Sequence, residues 1–189
     1  MPALLFDLDG TLANTNADLH AAMNHVLVKY GYNEVPSDAV HHMIGGGARM
    51  ILQRGLVENG VTFDDDKLDI ATEELVLWYD QNIDTHTHVY DNLMPILDNA
   101  RAANYKMAVV TNKRESLSSK LLFRLNIHAY FDVLIGGDTL PTRKPNAAPI
   151  TEALKRLGTP ADEALMVGDS EADTGSARAA KVACLCVSF

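Results

Sequence analysis

The sequence predicts an α/β fold in which a doubly wound parallel sheet carries an inserted helical segment, and three observations predict it. First, three short apolar runs each stop at a reactive polar residue: Ala3 to Phe6 before Asp7, Met107 to Val110 before Thr111, and Ala164 to Val167 before Gly168-Asp169. Strands of an open parallel sheet are buried on both faces and so read as continuous apolar runs, and ligands bind beyond their carboxyl ends. Second, Leu117, Leu121, Leu122 and Leu125 recur at helical spacing after Thr111, as alternation of strand and helix requires. Third, the stretch from Thr15 to Thr85 shows helical periodicity without strands.

Taken in order, the first strand ends at Phe6, and the helical stretch follows it. Leu19, Met23, Val26, Leu27 and Tyr30 make one apolar stripe, and Leu68, Ala71, Leu75 and Trp78 make another. The run Asp64-Asp65-Asp66 marks a solvated helix start, where carboxylates meet the positive end of the helix dipole. This insert leaves after the first strand and returns before the second. Residues 1–14 and 86–189 are therefore expected to form a Rossmann-like core, and residues 15–85 a small helical cap lying over the carboxyl ends of the sheet as a lid. Phe131 to Ile135 and Ala183 to Val187 supply two further strands. Cys184 and Cys186 alternate on one face of the last strand, about 6.6 Å apart, a spacing that does not easily close a disulfide. Buried free thiols are expected there.

Composition narrows the partners. A chain of 189 residues carries one substantial core and at most a small second domain. A formal charge of −9 without a Lys/Arg cluster disfavours nucleic acid and anionic lipid. No apolar run approaches the roughly 20 residues that span a bilayer, and the start Met1-Pro2-Ala3-Leu4-Leu5-Phe6 lacks the basic and long apolar regions of a secretory signal. A cytoplasmic protein acting on a small molecule is expected, with the oligomeric state left open. His86-Thr87-His88 lacks a third ligand at a zinc-site spacing and reads as structural, and Met43 and Met50 read as packing.

The chemistry concentrates at the strand ends. In Phe6-Asp7-Leu8-Asp9-Gly10-Thr11-Leu12 two carboxylates stand one residue apart after a buried strand. Their repulsion is tolerable when a cation lies between them or one stays protonated. Gly10 allows a turn, and Thr11 can bond the backbone within it. Three further motifs follow: Val109-Val110-Thr111-Asn112-Lys113, Lys144-Pro145 and Gly168-Asp169-Ser170-Glu171-Ala172-Asp173.

These four motifs, in this order, resemble the haloacid dehalogenase superfamily, and Gly136-Gly137-Asp138-Thr139-Leu140-Pro141 before Lys144-Pro145 looks most like bacterial phosphoglycolate phosphatases. The resemblance implies a phosphatase for a small phosphorylated metabolite, 2-phosphoglycolate foremost. Asp7 is then the nucleophile that becomes an aspartyl-phosphate, and Asp9 the acid and base that serves both half-reactions. Thr111 and Lys144 hold the non-bridging phosphate oxygens. Mg²⁺ takes the Asp7 carboxylate, the Asp9 backbone carbonyl and Asp169 as oxygen ligands. Asn112 contributes through its amide or backbone, and Asp173 orients Lys144 or the metal shell. In the cap, Gly45, Gly46 and Gly47 allow close approach of a ligand, and Arg49 is a candidate partner for a second anionic group; a helix-connecting turn and a solvated charge are the bland alternatives.

The chain also departs from the resembled pattern. Val89-Tyr90-Asp91-Asn92-Leu93 replaces a Pro-Gly turn, Ala147 stands where a second proline is common, and Lys181-Val182-Ala183 replaces an Ala-Gly turn. The sequence ends at Phe189, where the resembled proteins continue through a loop and helix, and an exposed sheet edge or face is expected. Competing readings are a phosphomutase or a phosphatase for a sugar phosphate or pyrophosphate, a dehalogenase, and a non-catalytic phosphate-binding module.

Overall fold

The computed structural model describes residues 1–37 and 46–188. In chain order the elements are β1 (Ala3–Phe6), β2 (Ala13–Asn14), α1 (Asn16–Lys29), α2 (Ala48–Glu58), α3 (Asp65–Gln81), β3 (His88–Val89), α4 (Leu93–Ala102), β4 (Lys106–Val110), α5 (Glu115–Arg124), β5 (Val133–Ile135), α6 (Ala148–Leu157), β6 (Ala164–Gly168), α7 (Glu171–Ala180) and β7 (Ala183–Cys186). They fall into two compact units, one of Met1–Asn14 with His88–Phe189 and one of Thr15–Thr87. Among the described residues no helix is long and apolar enough to cross a membrane.

The first unit is an α/β fold on a five-stranded parallel sheet in the order β5-β4-β1-β6-β7. Strand alternation sorts its core: Ala3, Leu5, Ala108, Val110 and Met166 pack with Ile150, Ala153, Leu154 and Leu157 of α6 and Ala177 of α7. On the other side Phe6 meets Phe131 edge to face, with ring centroids 6.1 Å apart. Because β4 and β6 flank β1, the strand order reverses there, and the crevice beyond β1 is where such a sheet binds ligands. Phe6 pairs with both Val109 and Val167, so Asp7 is level with the ends of β4 and β6. Register alone therefore brings Asp7, Thr111 and Asp169 to one rim.

Local findings correct or complete the sequence expectation. Cys184 and Cys186 are exposed free thiols, not buried ones. Pairing only with β6, β7 is an edge strand on which every residue is exposed. The helix stop at Lys181 needs no glycine, since Lys181 itself adopts the left-handed conformation (φ 59°) that closes α7. Asn92 (φ 64°) likewise takes a left-handed turn before α4, a conformation asparagine tolerates better than most residues. The antiparallel pairing of β2 with β3 is an addition to the expected elements, too brief to leave a periodic signal in the sequence.

The second unit packs α1, α2 and α3 on one another. Asp64 caps α3 by accepting from Lys67 N at 2.8 Å, and Trp78 stacks on His25 with centroids 5.3 Å apart. The beginning and end of this unit are joined by Asp18, which is 1% exposed. Its carboxylate accepts from His86 N at 3.0 Å, Thr87 N at 2.9 Å and Thr87 Oγ1 at 2.7 Å. Removing it strands the buried Thr87 donors, and each unsatisfied buried group costs about 1–3 kcal/mol. Asp18→Ala is therefore expected to lower unfolding stability by about 2–4 kcal/mol in a denaturant titration; a loss below about 0.5 kcal/mol would show that solvent replaces the carboxylate.

Candidate active site

At the rim beyond β1, β4 and β6 the polar residues converge. Asp7, buried at the end of β1, has its backbone N–H bound to Val167 O at 2.9 Å. Its Oδ1 accepts from Leu8 N at 2.8 Å and lies 2.9 Å from Lys144 Nζ. Lys144, whose side chain is 1% exposed, reaches a second carboxylate, Asp173 Oδ1, at 2.6 Å. The other oxygen of Asp173 accepts from Ser170 N at 3.0 Å and Ser170 Oγ at 2.5 Å, so Ser170 and Asp173 form the capping box that starts α7. One carboxylate thus caps a helix and aims the lysine. Gly168 makes room for it, since a Cβ there would lie 2.3 Å from Asp173 Cγ.

Asp169 reaches the same place from the turn after β6. Its Oδ1 accepts from Thr11 Oγ1 at 3.0 Å. Thr11 therefore spends its hydroxyl on this carboxylate, where the sequence pattern suggests a backbone bond. Gly10 has φ 79°, and a Cβ on it would stand 2.3 Å from Asp169 Oδ2, so a side chain there is excluded by conformation and by space. Carboxylate oxygens of Asp7, Asp169 and Asp173 all lie within 4.8 Å of one another, the one such cluster of three metal-ligating side chains among the described residues.

The loop after β4 closes the other side. Thr111 is buried, its N–H bound to Ile135 O at 2.9 Å, and its Oγ1 accepts from Lys113 N at 3.2 Å, which leaves the hydroxyl hydrogen to donate elsewhere. Asn112 Nδ2 donates to Lys144 O at 3.0 Å, tying this loop to the lysine loop. Ser176 Oγ anchors the lysine loop from α7 by donating to Asn146 O at 2.6 Å. Asp9 is paired with Lys113, Nζ to Oδ1 at 2.5 Å. Sequence reasoning gives Lys113 no role, because its partner is 104 positions away and no periodicity reports such a pair.

Electrostatics follow from crowding. Burial pushes the Asp7 carboxyl up to about 7, against the pull of Lys144 and with Asp173 and Asp9 adding to the rise. Asp169 is exposed at the rim, yet partial desolvation by the surrounding chain raises its carboxyl too, although its bond from Thr11 works the other way. Burial works against the Lys144 ammonium, yet Asp7 and Asp173 more than offset it and leave it above an ordinary lysine. Three close carboxylates facing one shared ammonium leave a surplus of negative charge. A set of hard oxygen donors with that surplus fits a divalent cation of the magnesium kind and suits soft metals poorly.

The residues expected in the cap lie in the unit Thr15–Thr87. Gly46 and Gly47 lead into α2, with Gly47 at its N-cap. Arg49 is engaged by α3, its Nη2 2.5 Å from Asp65 Oδ1 and its Nε 2.8 Å from Asp69 Oδ1. Gly45 and Met43 fall outside the described residues.

Known proteins resemble this chain in sequence and in fold. The chain is 35% identical over 184 residues to the phosphoglycolate phosphatase of Colwellia psychrerythraea, covering 95% of this chain and 80% of that one. It is 36% identical over 173 residues to the phosphoglycolate phosphatase of Aquifex aeolicus, covering 92% and 78%. The crystal structure of a predicted phosphoglycolate phosphatase from Haemophilus somnus 129pt superposes with a TM-score of 0.90 at 28% identity, covering 98% of this chain and 84% of that one. The family model described as haloacid dehalogenase-like hydrolase matches residues 4–187, and the chain belongs to that family.

Proposed function

We propose that this protein is a Mg²⁺-dependent phosphatase that hydrolyses small phosphomonoesters, 2-phosphoglycolate foremost, through a phosphate carried on Asp7. The observation that supports it most is the convergence of the Asp7, Asp169 and Asp173 carboxylates, with Lys144 bridging Asp7 and Asp173. The substrate preference rests on the relatives named phosphoglycolate phosphatase.

In this reading Asp7 and Asp169, with the Asp9 backbone carbonyl, would hold the cation, which would offset the charge of nucleophile and phosphate. The Asp7 carboxylate attacks phosphorus as the bond to the ester oxygen breaks, and Asp9 gives its proton to the departing alkoxide. Asp9 then takes a proton from water as that water attacks the phosphorus of the aspartyl-phosphate, releasing phosphate and regenerating Asp7. Thr111 donates its hydroxyl hydrogen and Lys144 its charge to the non-bridging oxygens, and Asp173 keeps the lysine aimed. Arg49 is left out, since Asp65 and Asp69 engage its guanidinium. The helical unit Thr15–Thr87 is assigned the choice among phosphorylated metabolites, a task the phosphoryl-reading core does not perform.

The test is phosphate release from a panel of small phosphorylated acids, sugar phosphates and pyrophosphate, with Mg²⁺ and with EDTA. Release that needs Mg²⁺ and is fastest, by kcat/KM, on 2-phosphoglycolate is expected. Metal-independent release would remove the cation from the mechanism, and equal rates across the panel would remove the substrate preference.

A further inference from the structure

Lys113 takes part in none of the steps just described, yet the fold encloses it closely. Its side chain is 4% exposed and its ammonium lies 2.5 Å from Oδ1 of Asp9, whose side chain is 16% exposed. The lysine backbone is held at both ends: its N–H donates to Thr111 Oγ1 at 3.2 Å, and its carbonyl accepts from Gly137 N at 2.7 Å. The neighbouring Glu115 N is bound to Asp138 Oδ1 at 2.7 Å, so the Gly136-Gly137-Asp138 loop fixes the start of α5 as well. A rigid base thus carries the long side chain that reaches across to Asp9.

Stability does not account for such a pair. Withdrawing two charges from water costs several kcal/mol per ion, and apolar residues of similar size often serve a fold as well or better. What the pair does supply is direction. A group that exchanges protons with a leaving oxygen must stand within about 2.6–3.2 Å of it, and a carboxylate on two rotatable bonds does not hold that position by itself. Fixing Oδ1 fixes the plane of the carboxyl group and the direction of its second oxygen.

We infer that Lys113 is the positioning residue for Asp9, holding its carboxyl group in the orientation from which it serves the leaving oxygen; the inference rests on the phosphatase reading above. Its loss therefore falls on the chemical step and in proportion to how much the leaving group needs a proton. A departing alkoxide is a strong base and needs one, whereas p-nitrophenolate leaves without it.

The experiment compares wild type, Lys113→Met and Lys113→Gln on 2-phosphoglycolate and on p-nitrophenyl phosphate with Mg²⁺. Lys113→Met is expected to lower kcat on the order of 10²-fold for the alkyl ester but less than about tenfold for the aryl ester, with KM for each within about threefold. Lys113→Gln keeps an N–H donor, one bond shorter than the lysine and without its charge, and is expected to lower the alkyl-ester rate in the same selective way by a smaller factor. The ratio of the two rates is the readout, because partial misfolding lowers both alike; should Lys113→Met yield no folded protein, a lowered ratio of alkyl-ester to aryl-ester rate in Lys113→Gln supports the assignment and an unchanged ratio overturns it. Equal losses on both esters would overturn it in favour of a structural role, and a raised KM for phosphoglycolate at unchanged kcat would overturn it in favour of a substrate contact. Wild-type protein inert on both esters would defeat the phosphatase reading itself, and this assignment with it.

Discussion

Asp7→Asn is expected to lower kcat for phosphate release on the order of 10³-fold or more, because an amide lacks the charged oxygen that attacks phosphorus. The same substitution is expected to leave the metal-free protein at least as stable as wild type. Burial raises the Asp7 carboxyl from 3.8 to about 7, so its folded-state value lies above its unfolded one. A group shifted in this direction favours the folded state most below the lower value, and that support is lost as pH rises through the upper one. At pH 8 the wild type therefore holds an ionised carboxylate against desolvation, and the amide does not. Lys144 keeps Asp173 at 2.6 Å in the variant, so no charge is orphaned. Thermal melts without metal should show Asp7→Asn equal or superior at pH 8, with any advantage narrowing toward pH 4. A variant that keeps wild-type turnover would contradict the role of Asp7 as nucleophile, and one that melts far below wild type at pH 8 would contradict the cost assigned to burying its charge.

Lys144→Met is expected to fail in the opposite manner, losing fold stability together with activity. The lysine side chain, 1% exposed, lies between Asp7 and Asp173, the latter with a fully buried side chain. Taking one partner out of a buried ion pair leaves charge uncompensated, at a cost of about 3–5 kcal/mol. Asp173 also carries the cap of α7, so its displacement frays the start of the helix whose Ser176 holds the lysine loop at Asn146. A fall in melting temperature, together with a loss of kcat on the order of 10²-fold or more in the folded fraction, is expected. An unchanged melting temperature would mean that the carboxylates find another counter-charge.

The contrast between the two variants follows from what each residue faces, and surroundings of that kind also decide how much of this molecule is legible in its sequence. Central strands are legible because burial on both faces of β1, β4 and β6 leaves uninterrupted apolar runs, and each run ends where its reactive residue begins. Edge strand β7 carries the same kind of residues without the burial, so composition alone misplaces Cys184 and Cys186. Burial on a sheet depends on neighbours that a local pattern does not report. The motif residues Asp7, Asp9, Thr111, Lys144 and Asp169 are legible as candidates because each stands at a strand end or in the loop between strands.

What joins them is not legible. The Lys113 to Asp9 pair and the Asp18 bonds to His86 and Thr87 link positions far apart in the chain, and a single sequence holds no signal of such pairings. A local clue does exist for the double duty of Asp173, since Ser170-Glu171-Ala172-Asp173 has capping-box spacing with aspartate in place of the usual glutamate. Arg49 adds another such pairing, since Asp65 and Asp69 on α3 engage a cation that the sequence shows only beside glycines.

The most direct test of the central claim is an acid quench of the protein during turnover of ³²P-labelled 2-phosphoglycolate with Mg²⁺, followed by peptide mapping. Label on the peptide containing Asp7, labile in base and absent from Asp7→Asn, is the expected result. Turnover without label on that peptide, or label on another residue, would contradict a phosphate carried by Asp7.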